Sequence, residues 1–231
     1  MKKMLYCCLS MIFLTHIAQA QSMYNIGFYR SFPVGDYGAQ NIENGGFAKG
    51  GWGFLLENKF TFPSWPQGLH VGFHFSYQEN EIDEQAIGSA FSEALEGTFD
   101  VRVSAGSFRP LVATAGPFYE WQLNEKFSID FKSGAGIMFT GIDPVNLNIY
   151  DNQGELILRE SVEYQTKPDF SFMLGVNFGY QFSEYWGVSL FADYAYSNES
   201  FKSSFINASG AESEQKISFI NTGLSVSLKI N

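Results

Sequence analysis

The sequence has only two cysteines, Cys7 and Cys8, and both lie within its first twenty residues. The rest of the chain therefore offers no disulfide, no thiolate metal site and no cysteine nucleophile. Charged residues are also scarce, at 16% of the chain, and acidic residues outnumber basic ones by 24 to 14. Because phosphate binding needs a basic surface, we expect no nucleic-acid partner.

The chain beyond residue 20 also lacks an apolar run of about 18 residues, the length that a membrane helix needs. The shorter run from Met4 to Thr15 follows Met1-Lys2-Lys3 and precedes Ala18-Gln19-Ala20. A basic start, a short apolar run and an A-x-A cleavage site together make a secretory signal peptide. We therefore predict that residues 1–20 are a cleaved signal peptide and that residues 21–231 form one domain.

What the sequence does have is alternation, in a chain that is 17% aromatic. In residues 127–140, which begin "FSIDFKSGAGIMF", apolar and polar residues alternate at every second position. The same period recurs in residues 24–32, 50–62, 69–78, 110–123, 169–182, 186–197 and 217–230. Period two predicts β-strands. Most of these segments exceed the usual 5–6 residues of a soluble strand and match the roughly 9–11 of a tilted membrane strand.

The connections between these segments alternate in length. "PSWPQG", "NEK" and "SEY" are short, whereas the other four connections, including the last, are longer and polar. All short turns therefore fall at one end and all long loops at the other, with both termini at the short-turn end. We predict an all-β fold, an eight-stranded antiparallel up-and-down transmembrane β-barrel with short periplasmic turns, long extracellular loops and periplasmic termini.

Aromatic residues concentrate at the short-turn end of this arrangement. Rings with a polar edge favour the boundary between lipid and water, so the sequence predicts an aromatic girdle there, formed by Trp65, Trp121, Phe127, Tyr180, Tyr185 and Trp186. A second set, Trp52, Tyr77, Phe139, Tyr194 and Tyr196, is a candidate for the opposite girdle.

The polar face of the strands decides which side is inward. A soluble barrel would expose many long Lys, Glu and Thr side chains on that face, but here Gly, Ser, Asn and Gln dominate it. Small residues suit the narrow interior of an eight-stranded barrel, and lipid would exclude the charges of both signs found among them. We therefore predict a plugged lumen with a polar network of Glu57, Lys59, His70, His74, Glu120, Asp130, Lys132, Asp193 and Lys229.

At this point the chain resembles the small eight-stranded outer-membrane β-barrels of the OmpX and OmpA-membrane-domain kind. The stretch "YNIGFYRSFPVGDY…NGGFAKGGWGF", Tyr24 to Phe54, looks like the first hairpin of such a domain. The resemblance implies residence in the bacterial outer membrane, contact with its lipids, and delivery by the secretion and barrel assembly machinery. Such barrels usually end in an aromatic residue, whereas "GLSVSLKIN" keeps the alternation but ends in Ile230-Asn231.

Candidates for chemistry are few. Some eight-stranded barrels of this membrane are lipid-modifying hydrolases that use Ser, His and an acid, and His70, His74 and Ser76 share one strand. These residues are predicted to face the lumen, away from a lipid substrate. Residues four apart in a strand are roughly 13 Å apart, too far for His70 and His74 to bind one ion. We therefore predict no catalytic residue, no metal site and no cofactor.

The loop "NEIDEQAIGSAFSEALEGTF" is the one segment with a helical pattern, in which Ile87, Ala90, Phe91, Ala94 and Leu95 recur at intervals of three and four. Asp83 is placed to cap its start and Gly97 its end. Two interpretations remain open. Residues 79–97 either present an apolar stripe to a surface ligand, or lie over the barrel mouth or in solvent.

Together these features predict a non-enzymatic outer-membrane barrel with a structural role or a surface-interaction role through its long loops. A narrow pore or small-ligand transporter is the first alternative. A lipid-modifying enzyme is the second.

Overall fold

A computed structural model describes residues 21–41, 45–205 and 208–230, without the side chains of residues 21 and 201–213. The predicted signal peptide lies outside the described residues. The strands are β1 (Gln21–Pro33), β2 (Gly51–Thr61), β3 (Leu69–Glu81), β4 (Asp100–Ser104), β5 (Ser107–Gln122), β6 (Phe127–Ile142), β7 (Val145–Tyr150), β8 (Leu156–Thr166), β9 (Asp169–Gln181), β10 (Trp186–Phe205) and β11 (Ala208–Ile230). A 3₁₀ helix (Gly35–Tyr37) follows β1, and an α-helix, α1 (Glu84–Ala94), follows β3.

Eight of these strands close into an antiparallel barrel. Their order is β11-β1-β2-β3-β5-β6-β9-β10, and pairing between β10 and β11 closes the ring. Paired residues can be followed from strand to strand around the ring. Starting at Trp186 of β10, this path comes back to β10 at Tyr196, ten positions further along the strand. Such a stagger requires strands that are tilted relative to the barrel axis. The predicted fold class is confirmed, and each of the eight alternating segments lies in a barrel strand.

The connection between the last two barrel segments is long, as predicted, but it is a β-hairpin instead of an irregular loop. β10 and β11 continue as one long hairpin, and pairing extends as far as Phe205 and Ala208. The extra length of β10 gives β8 a partner, because residues 201–205 pair with residues 162–166. β7 then pairs with β8, and β4 with β7, so the predicted loops contribute three further strands beyond the barrel.

Helix α1 covers the free edge of β4. Asp83 caps the helix by accepting a hydrogen bond from the Ala86 amide, and the Val101 amide donates to Ser92 Oγ. A Cβ on Gly88 would lie 2.7 Å from the Val101 carbonyl oxygen, so only glycine permits this approach. Covering an exposed strand edge protects it from pairing with another chain.

Replacing Gly88 by leucine should detach α1 from β4 without disturbing the barrel. Leucine favours helix more than glycine does, so any loosening must come from the clash with Val101. We expect faster limited proteolysis between residues 82 and 106, with an unchanged barrel core. The matched control is Ser89→Leu, at an exposed neighbouring position; equal cleavage of the two variants would refute this account of the helix.

The two faces of the barrel strands differ sharply in composition. Phe28, Leu190 and Leu224 on the outer face are 73%, 61% and 62% exposed. On the inner face, Glu57, Lys132 and Asp193 are all at most 4% exposed. Large apolar side chains therefore point outward and charged side chains inward, the reverse of a water-soluble barrel. Across the described residues, none of the helical segments is both long and apolar enough to traverse a membrane.

Candidate functional site

The lumen is open at its short-turn end. A basin of about 430 Å³ enters there and is lined largely by polar residues, among them Gln122, Ser128, Gln181, Ser189 and Ser227. Lys59, Glu120, Asp130 and Lys229 also line it. The space exists because the inward positions of β6, β9, β10 and β11 are occupied here by serine and glycine, which are too small to fill it.

The inner wall of the basin is an ion cluster contributed by β2, β3, β5 and β6. Lys59 Nζ lies 2.7 Å from Asp130 Oδ2 and 3.5 Å from Glu120 Oε2. His70 Nε2 lies 3.8 Å from the same Glu120 oxygen, and its Nδ1 is 2.6 Å from Thr61 Oγ1. Lys229 joins Lys59, His70 and Glu120 around a smaller cavity of about 130 Å³. The structure thus brings together five of the predicted network residues at one depth.

A second ion cluster lies deeper in the lumen and is centred on Lys132. Its Nζ donates to Glu57 Oε2 at 2.6 Å and to Asp193 Oδ2 at 3.0 Å. His74 Nδ1 is 3.3 Å from Glu57 Oε2, and Asn25 donates to Glu57 Oε1 at 3.0 Å. One ammonium from β6 therefore joins carboxylates from β2 and β10 across the barrel interior. The remaining four predicted network residues meet here.

Carboxylate and imidazole atoms of the second cluster have the spacing of a metal site. Ligand atoms of Glu57, His74 and Asp193 all lie within 4.8 Å of one another. Lys132 Nζ, however, is within 3.0 Å of both carboxylates. Its ammonium already supplies positive charge between the two carboxylates, so Lys132 itself balances the charge of this cluster.

Apolar side chains fill the lumen beyond this cluster. Tyr29, Leu55 and Phe191 form one small buried group, and Lys132 Nζ lies 5.4 Å from the centre of the Phe191 ring. A larger core occupies the outer mouth and is formed by Tyr37, Phe47, Ala48, Ile82, Ile87, Phe108, Val112, Met138, Val145, Ala195, Ile217 and Phe219. The outer mouth is therefore packed like the interior of a soluble protein.

The alternation of the strands did not reveal this apolar core at the outer mouth. A signal was present, because Ile217 and Phe219 occupy the inward positions that are polar further along β11. Helix α1 contributes to the same core, with Ile87 inside it and Ala90 and Phe91 packed against it. The apolar stripe of residues 79–97 is therefore used within the protein, and the helix lies over the barrel mouth rather than presenting that stripe outward.

The three residues considered for catalysis, His70, His74 and Ser76, all face the lumen of the barrel. Ser76 and His74 are buried, and Tyr29, two strands away on β1, donates a hydrogen bond to the Tyr77 carbonyl. His70 belongs to the Lys59 cluster and His74 to the Lys132 cluster, so the two rings serve different networks. Their neighbours are charged partners rather than the outer surface.

The six aromatic residues predicted for the short-turn girdle all lie on the outer surface of the barrel. Trp65, Trp121, Phe127, Tyr180, Tyr185 and Trp186 are each exposed. Phe127 and Tyr180 pack together with ring centres 5.0 Å apart, and Phe62 packs on Trp65 at 4.9 Å. Trp65 lies in the turn between β2 and β3, and the other five lie at or next to the ends of β5, β6, β9 and β10, so the six form a band around the short-turn end.

No protein-family model and no curated protein sequence matches the chain. The structure of the outer membrane protein OprG from Pseudomonas aeruginosa does match, at 12% identity over 92% of this chain and 96% of OprG, with a TM-score of 0.52. The chain has the fold of a small outer-membrane β-barrel.

Two further barrels align with it at lower TM-scores. Ail, the attachment invasion locus protein of Yersinia pestis, aligns at 16% identity over 92% of this chain and 99% of Ail, with a TM-score of 0.44. Neisserial surface protein A aligns at 8% identity over 91% of this chain and 97% of that protein, with a TM-score of 0.47. At these identities the similarity concerns the outer-membrane barrel fold alone.

Proposed function

We propose that this protein is an integral outer-membrane barrel with a plugged lumen, whose role is structural or depends on the elements beyond its outer rim. The observation that carries this proposal is the buried position of Lys132 between Glu57 and Asp193, beneath an apolar core that fills the outer mouth. An aqueous channel needs neither feature. An enzyme acting on lipid would need its polar groups on the opposite face.

The outer surface supports a place in lipid. A soluble protein rarely leaves so many large apolar side chains exposed in one continuous belt, whereas a membrane barrel requires such a belt, about 25 Å tall and bounded by aromatic girdles. In this arrangement the short turns and both termini are periplasmic, and the periplasmic girdle includes Trp65, Trp121 and Trp186. The barrel contacts outer-membrane lipids and is delivered by the secretion and barrel assembly machinery.

The elements beyond the rim form the surface available to other molecules. They comprise α1, the outer parts of β10 and β11, and the sheet of β4, β7 and β8. The hairpin of β7 and β8, called the outer hairpin below, exposes three consecutive apolar residues, Leu156, Ile157 and Leu158. Because the stripe of α1 is buried within the protein, we place a surface-interaction role on this sheet and the rim rather than on residues 79–97.

Conductance tests the plugged lumen and separates it from a pore or transporter. The purified protein should insert into planar bilayers without long-lived, porin-sized channels, because buried charges and an apolar core block the interior in series. Insertion is verified by incorporation into liposomes of the same lipid. Stable channels of porin size from the wild-type protein would instead establish the pore.

A further inference from the structure

One arginine on the outer face of the barrel, Arg30, forms no ion pair among the described residues. Of the four arginines, Arg102 and Arg109 form ion pairs, and Arg159 donates to the Asn148 side chain. Arg30 instead lies over the Trp52 indole, with its guanidinium carbon 4.9 Å from the ring centre.

Arg30 lies near the outer edge of the apolar belt. It is nine positions along β1 from Gln21, a rise of roughly 23 Å along the axis for strands that climb about 3.3 Å per residue at a tilt near 40°. The belt itself is about 25 Å tall. A guanidinium at this depth can reach the headgroup region of the leaflet on the loop side, where its charge is tolerated.

An apolar groove descends from Arg30 into the belt. It has a volume of about 800 Å³ and follows the seam between β1 and β11. Arg30, Trp52 and Thr222 lie at its outer end, and Ile26, Val188 and Val226 lie at its deeper end. Arg30 is the only charged residue among those that line it.

We propose that this groove binds an anionic lipid of the loop-side leaflet, one whose headgroup phosphate has no cationic group beside it. The guanidinium of Arg30 pairs with the phosphate, Trp52 holds the guanidinium in place, and one acyl chain lies between the apolar walls of the β1–β11 seam. Charge complementarity selects this occupant, because guanidinium groups match phosphate oxygens in geometry and charge. The inference rests on the proposed membrane location.

Lipid retention tests the site. The protein is reconstituted into nanodiscs with equal amounts of phosphatidylcholine and phosphatidylglycerol, extracted in mild detergent, and the lipids that remain bound are measured by mass spectrometry. The wild-type protein should be enriched in phosphatidylglycerol, and Arg30→Gln should reduce that enrichment about fivefold, the effect expected of one basic residue near a lipid surface. Arg109→Gln is the matched control, because Arg109 already pairs with Glu79 and Asp143.

A second pair of variants tests the acyl groove without changing charge. Val188→Phe fills the deep end of the groove and should lower total bound lipid, whereas Val176→Phe, on β9 outside the groove, should not. Absence of phosphatidylglycerol enrichment in the wild type, or equal losses in Arg30→Gln and Arg109→Gln, would overturn the site while leaving the membrane location intact. Failure of the wild type to enter nanodiscs at all would overturn the proposed function instead.

Discussion

Replacing Lys132 by methionine is expected to destabilise the folded barrel by about 3–5 kcal/mol, the effect of leaving a buried ion network without one partner. Lys132 Nζ is the cation between Glu57 and Asp193, and all three side chains are at most 3% exposed. Methionine keeps the volume but leaves two buried carboxylates facing each other. Urea unfolding in lipid vesicles, followed by tryptophan fluorescence, gives the free energy of unfolding directly.

The control for this variant is Lys216→Met. Lys216 pairs with Asp36 at 3.5 Å, but its side chain is 60% exposed, so its loss should cost at most about 1 kcal/mol. Adding Glu57→Gln and Asp193→Asn to Lys132→Met should recover part of the lost stability, because the uncompensated charges are then gone. Similar costs for Lys132→Met and Lys216→Met would show that the lumen cluster is solvated rather than buried.

Replacing Phe131 by arginine should impair assembly into lipid. Phe131 points outward from the middle of β6 and is 49% exposed. A charged side chain near the bilayer midplane of a barrel costs about 2–4 kcal/mol. The measurement is the fraction of protein that folds into liposomes, read from the change in gel migration between unheated and boiled samples.

Leu156→Arg is the matched control for Phe131→Arg. Leu156 is 45% exposed, close to the value for Phe131, but it lies on the outer hairpin, beyond the barrel. Arginine there faces water, so folding should be unchanged. Equal folding yields for the two variants would mean that the outer face of β6 is not in lipid.

The barrel strands could be predicted from sequence because their signal is local. Alternation such as that of Phe131 and Lys132 depends only on which side of one strand each residue occupies. The same alternation of inward and outward positions correctly predicted that Glu57, Asp130 and Asp193 face the lumen. It did not show how these charges pair, because Lys132 joins carboxylates on two other strands, and that pairing depends on the stagger of the closed barrel.

The outer elements could not be predicted in the same way because they depend on tertiary partners. The short alternation of Val145, Leu147 and Ile149 becomes a strand only because β8 lies beside it, and β8 in turn needs the extended β10. Helix α1 was visible from its periodicity and its Asp83 cap. Its burial against the mouth required Gly88, whose close approach to Val101 leaves no trace in a hydrophobic pattern.

Thiol reactivity at two outward positions tests the central claim, that the apolar outer face lies in lipid, most directly. Beyond residue 20 the chain has no cysteine, so Phe131→Cys and Leu156→Cys each introduce a single reporter. Both positions are about half exposed on the protein surface, so only surrounding lipid can make them differ. In liposomes, a water-soluble maleimide should label Leu156→Cys fully and Phe131→Cys only after the protein is unfolded. Equal and rapid labelling of both would contradict the account and make this a water-exposed barrel.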